Sequence, residues 1–214
     1  MTETLDLGHR LELVSMDPHF HDISIALYRQ QSVQGPILLV HSYSKRPGTK
    51  QRLEFVARAM TVLGGLEPVP GATLALRFAC HVEHPFACRR VFLEACKLAP
   101  DQPLEPRPLQ ILDKKSGRTV TVSSQGEGVY RLAADGDALD KASRVAAVAN
   151  GLMKLGEMRA GAAESDSIAF GCGQAHDALV GLLLVRALNV RAVLREEEMS
   201  ASRGMLAAPS AQQS

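Results

Sequence analysis

The sequence predicts an α+β fold built from two tandem β-β-β-α-β-α repeats, a pseudo-twofold duplication in which each sheet carries its helices on one face. Three observations point there. The chain of 214 residues is 46% apolar and 22% charged, enough to bury a real core. Shifted on itself by 92 residues, it places Arg52 on Arg144, Val56 on Val148, Leu63 and Gly64 on Leu155 and Gly156, Phe78 on Phe170, Cys80 on Cys172 and His84 on His176. Cys and His are scarce, so their coincidence in one frame weighs more than the identity fraction. Finally, period-2 and period-3.6 apolar patterns follow each other in the same order in both halves.

In the first half, Leu11 and Leu13 alternate, and Ile23, Ile25 and Leu27 alternate after a turn at Asp17-Pro18, as in a hairpin. Gly35 introduces a short buried strand, Ile37 to Val40. Thr49 is the expected N-cap of a helix whose stripe is Leu53, Val56, Ala57, Met60 and Leu63, closed by Gly64-Gly65. A fourth strand follows, with Leu74, Leu76, Phe78 and Cys80 on one face. Pro85 opens a second helix with Cys88, Val91, Phe92, Ala95 and Cys96 toward the core.

The second half repeats this. Leu109 to Leu112, a turn at Lys115-Ser116-Gly117, Val120 with Val122, and Val129 to Ala133 form the meander. The helix stripe is Val145, Val148, Ala149, Leu152 and Leu155; Ile168, Phe170 and Cys172 form the fourth strand; Val180, Leu183, Leu184, Ala187 and Leu188 line the last helix. The expected divisions are copy one at 1–99, a Pro-rich linker at 100–108, copy two at 109–199 and a disordered tail at 200–214. Val190 to Leu194 could add one more strand.

Charge and composition exclude several classes. Lys plus Arg total 24 against 23 for Asp plus Glu, and Trp is absent, so a general nucleic-acid footprint and base-stacking platforms are not expected. No signal peptide and no apolar run of membrane length is visible, which suggests a cytoplasmic protein whose four cysteines are thiols, ligands or core residues.

The element order resembles that of the ribosomal protein S5 second-domain-like superfamily, which includes the duplicated, metal-binding imidazoleglycerol-phosphate dehydratases. In those enzymes a His-rich stretch lies where the fourth strand enters the second helix. Here that place holds Cys80-His81-Val82-Glu83-His84 and Cys172-Gly173-Gln174-Ala175-His176. The resemblance spans both copies and is one of layout. The paired histidines followed by an acid are altered in copy one and missing in copy two, so dehydratase activity does not carry over.

The two Cys-x-x-x-His pairs are the sharpest chemical feature. A strand-to-helix junction exposes helix amides that favour a thiolate. If the copies pack about an axis near these junctions, Cys80, His84, Cys172 and His176 complete a tetrahedral set for zinc or another divalent metal. Buried thiols with capping histidines, or a catalytic thiol, are the alternatives. Cys88 and Cys96 match Val180 and Leu188, and read as core.

His41 at a strand end and Glu83 are the candidate acid–base pair, against a satisfied strand-end residue; His19 and His21 suit a solvated turn. Ser44, Lys45, Arg46 and Lys50 lead into a helix N-terminus, suiting either a phosphate or carboxylate or a solvated basic turn. The functional expectation is a small-molecule enzyme of cytosolic metabolism, a metal-assisted lyase or hydrolase acting on an anionic substrate. The alternative is a non-catalytic ligand-binding or assembly protein, for which a homo-oligomer is an open option. Neither nucleic acid nor a membrane is an expected partner.

Overall fold

The computed structural model describes residues 10–113, 117–161 and 166–188. The expected strand at Val190–Leu194, the tail, His9 and most of the Lys115-Ser116-Gly117 turn lie outside them. The fold is α+β, with two five-stranded antiparallel sheets and four helices.

Unit one runs β1 (Arg10–Met16), β2 (Ser24–Ser32), β3 (Gly35–His41), α1 (Thr49–Gly64), β4 (Leu66–Val69), β5 (Ala72–Phe78) and α2 (Pro85–Lys97). Unit two runs β6 (Gln110–Asp113), β7 (Arg118–Gly126), β8 (Val129–Ala134), α3 (Ala138–Gly156), β9 (Met158–Ala160), β10 (Ser167–Phe170) and α4 (Asp177–Ala187). The sheet orders are β1-β2-β3-β5-β4 and β6-β7-β8-β10-β9.

Each unit is therefore β-β-β-α-β-β-α, one strand more than the sequence pattern predicts. The extra strands, β4 and β9, are four and three residues long, and β4 contains Pro68. So short a run shows no alternation. Both lie at sheet edges, where a proline's missing N–H is tolerated. Thr49 is the first helical residue rather than the cap. Gly48 takes the N-cap position at φ 86, with no side-chain cap. In α3 the side chain of Asp137 caps the helix, accepting from Asp140 N at 3.0 Å.

Helices cover one face of each sheet and also meet the other unit's helices, α1 against α4 and α2 against α3 and α4. A single apolar cluster consequently runs through both units, from Ile25, Val56 and Phe92 to Leu132, Leu152 and Leu184. The α3–α4 crossing is close enough that a Cβ on Gly151 would lie 2.2 Å from the Ala187 carbonyl oxygen, so only glycine fits there.

Arg52, matched by Arg144 in the other unit, is buried against the turn after β1. Its Nε donates to Asp17, Nη1 to the Leu98 carbonyl (2.8 Å) and Nη2 to the Cys96 carbonyl (2.7 Å). Asp17 also accepts from the backbone N–H of His19 and Phe20. These bonds satisfy a buried charge pair and tie the first hairpin to the end of α2. Arg144 pairs with Asp113 in the corresponding unit. No helix among the described residues is long and apolar enough to cross a membrane.

Candidate metal centre

The chemistry-bearing loops start where β5 and β10 end. Phe78 and Phe170 are the last strand residues, and their carbonyls accept from His81 N (3.0 Å) and Gly173 N (3.2 Å). The chain turns there through a left-handed residue, His81 at φ 56 and Gly173 at φ 70. It enters the next helix through a histidine N-cap. His84 sits at φ −128, ψ 66 and His176 at φ −132, ψ 60, and their carbonyls accept from Cys88 N and Val180 N. Two loops of different sequence thus adopt one backbone path.

Cys80 and Cys172 do not continue the core face of their strands. Each strand ends two residues earlier, and both thiols are half-exposed in the turn. The histidines are buried. Within each loop the cysteine Sγ meets the histidine Nε2, at 3.3 Å for Cys80–His84 and 3.2 Å for Cys172–His176. Across the units, all four ligand atoms lie within 4.8 Å of one another. A tetrahedral zinc site with Zn–N near 2.0 Å and Zn–S near 2.3 Å has ligand–ligand edges of roughly 3.3–3.8 Å. The present spacing needs only a small contraction to reach them.

The surroundings favour the ligating form of the imidazoles. His84, His176, Phe78 and Phe170 pack edge to face, with His84–His176 centroids 4.9 Å apart and Phe78–His84 also at 4.9 Å. Burial, and the neighbouring His176, hold His84 down to about 4; burial also lowers His176. Both rings are therefore neutral at pH 7. Burial pushes the Cys80 thiol up to about 11, with the adjacent Cys172 adding to the rise. Without a cation Cys80 keeps its proton, and metal binding would release it. The Val82 N–H donates to Cys80 Sγ at 3.4 Å, a bond that suits a thiolate acceptor.

Of the other candidate residues, Glu83 lies in the Cys80–His84 loop and the rest lie elsewhere. A Cβ on Gly35, at the start of β3, would lie 2.8 Å from the His81 carbonyl oxygen. His41 is at the other end of that strand, about 20 Å away at 3.3 Å per residue. It packs instead against the rings of Tyr28 and Tyr43, and burial lowers its pKa. Glu83 accepts from Arg29 and Gln31. His41 and Glu83 are thus not brought together as an acid–base pair.

In the basic loop, Arg46 pairs with Asp22 and Lys50 with Glu54 at 3.9 Å, while Ser44 Oγ accepts from Arg46 N and Thr49. Two of its cations already have carboxylate partners, and the loop belongs to the His41 end of the sheet. No family model, curated protein or solved structure matches the chain.

One residue that pattern reasoning passed over supports the centre. Tyr130, fully buried on β8, accepts from His176 N and donates to Asp177 Oδ1 at 2.8 Å. Burial, with the Asp177 carboxylate, raises its pKa. A tyrosine on the buried face of a strand, with an acid at the start of a later helix, was the available signal, since a buried hydroxyl needs a partner.

Proposed function

We propose that this protein binds zinc in a Cys₂His₂ centre shared by its two units, and that the metal fastens those units into one body. The observation that carries this reading is the approach of four ligand atoms to within 4.8 Å, two contributed by each unit. Four protein ligands fill a tetrahedral zinc shell and leave no position for substrate, the pattern of a structural rather than a catalytic site. In this reading a tandem duplication gave each unit one Cys-x-x-x-His loop. The four free thiols suit a reducing compartment such as the cytoplasm.

The geometry favours the non-catalytic ligand-binding or assembly alternative over a metal-assisted lyase or hydrolase. His41 and the basic loop sit at the far end of β3, Glu83 beside the cluster is taken up by Arg29 and Gln31, and the imidazoles at the centre face each other and two phenylalanines.

Metal analysis of protein purified without chelators tests the proposal. About one zinc per chain is expected. Cys80→Ser and Cys172→Ser should each lose it, and Cys88→Ser should keep it because Cys88 is a fully enclosed residue of the α2 core stripe. A metal-free wild type, or stoichiometric zinc in both ligand variants, overturns the reading.

A further inference from the structure

The sulfurs and the imidazoles of the centre have unlike surroundings. His84 and His176 are buried and lie against Phe78 and Phe170, whereas Cys80 and Cys172 are partly exposed. The sulfurs therefore form the solvent side of the centre, where a small oxidant reaches them first. They come from different units, and their Sγ atoms are no more than 4.8 Å apart.

A disulfide bond of about 2.05 Å asks the two sulfurs to close by less than about 3 Å. The loop of unit two has the freedom to supply that movement. Cys172 stands between Gly171 and Gly173, and even a Cβ added to Gly173 would meet nothing within 4 Å. The other two thiols do not compete. Cys88 and Cys96 are enclosed on the core stripe of α2, at 3% and 1% exposure, and neither belongs to the cluster.

We propose that Cys80 and Cys172 are a reversible oxidation site, which a peroxide converts into a disulfide between the units with release of the metal. One zinc-bound thiolate attacks a peroxide oxygen; the S–O bond forms, the O–O bond breaks, and the departing hydroxide takes a proton from solvent. The second thiolate attacks that sulfur; the S–S bond forms, the S–O bond breaks, and the second hydroxide is protonated in turn. Each sulfur has lost one electron, and the peroxide has become two waters. Zn²⁺ then keeps only two neutral imidazoles of its four ligands and leaves. The release of metal rests on the zinc reading. The disulfide does not, since two thiols and one peroxide give the same bond and the same two waters.

Hydrogen peroxide in slight excess is the probe, added to the protein as purified, with zinc followed by a colorimetric indicator and thiols counted after denaturation. The chain should go from four titratable thiols to two, release about one zinc, and yield on digestion a peptide pair joined through Cys80 and Cys172. Dithiothreitol should restore all four thiols, and added zinc should then rebind. Cys80→Ser should form no disulfide within the chain; if that variant does not fold, the peptide map of the wild type decides alone. Four thiols still titratable after peroxide, oxidation that dithiothreitol does not reverse, or a disulfide to Cys88, Cys96 or a second chain overturns the site. A chain purified without zinc that still joins Cys80 to Cys172 overturns the metal reading and upholds this one. Zinc retained under peroxide with all four thiols intact does the reverse.

Discussion

At the turn between cysteine and histidine, unit one places His81 at φ 56 and unit two places Gly173 at φ 70. At the end of the preceding helix the choice reverses, with Gly65 in unit one at φ 67 and Glu157 in unit two at φ 58. Each unit thus meets the same two left-handed positions with one glycine and one substituted residue. Each substituted residue makes a bond of its own. His81 Nδ1 meets the Gln34 carbonyl at 2.7 Å, and Glu157 Oε1 accepts from Phe86 N at 3.3 Å. The backbone path is what the site requires, and the side chain there is free to vary when something nearby offsets the strain.

The largest test of the comparison removes what the units share. If a single zinc joins them, chelation should destabilise the protein by roughly 5 kcal/mol or more, because metal bound only in the folded state adds its binding energy to folding. Denaturant unfolding with and without chelator reads this directly. His84→Ala and His176→Ala should each produce nearly the whole loss, since neither half-site holds the ion alone. A much smaller loss in one of them would show that the centre belongs mainly to the other unit.

The matched arginines come next. Arg52 and Asp17 have side chains only 1% and 0% exposed, whereas Arg144 and Asp113 are 13% and 18% exposed. Arg52→Ala leaves a buried carboxylate without its cation and should cost about 3–5 kcal/mol. Arg144→Ala should cost less, about 1–2 kcal/mol, because water reaches the acid it leaves behind. Equal costs measured by urea titration would mean that burial does not separate the two pairs.

Acid should expose the enclosure of the imidazoles in metal-free protein. Burial holds His84 down at about 4, while the same side chain in an unfolded chain titrates near 6.5. Between those values the unfolded chain binds the additional proton. Stability is then complete above pH 6.5 and falls as the pH drops toward 4, by about 3 kcal/mol. His176, shifted in the same direction by burial, adds to the loss. The His84→Phe variant should flatten the profile in that window; a profile equally steep in the variant would assign the slope to other groups.

Much of this is legible in the sequence. Meander, helix stripes and the cysteine–histidine frame follow from apolar period and residue scarcity, both local properties. The short strands β4 and β9 were not legible, because three or four residues cannot display a period and their pairing with β5 and β10 is decided by the sheet. The Arg52–Asp17 pair hid for a related reason. Asp17-Pro18 has the composition of a solvated turn, and only the packing of α2 over it makes the aspartate a buried partner. His41 was expected to act with Glu83, and the length of β3 keeps the two apart.

The smallest expected effects return to the left-handed turn and separate strain from bonding. A Cβ on Gly173 meets nothing within 4 Å, so Gly173→Ala changes only the backbone preference and should cost about 1–2 kcal/mol. His81→Gly makes the opposite change in unit one. It relieves up to about 1 kcal/mol of the same strain but loses the hydrogen bond to the Gln34 carbonyl, worth about 1 kcal/mol, and it frees a residue that gains entropy on unfolding. The net change should lie within about 0.5 kcal/mol of zero. Chemical denaturation of the two variants, with metal saturating, distinguishes the cases. A clear stabilisation by His81→Gly would mean that the Gln34 bond contributes nothing. A cost matching that of Gly173→Ala would mean that the bond, rather than the turn, holds the unit-one loop in register.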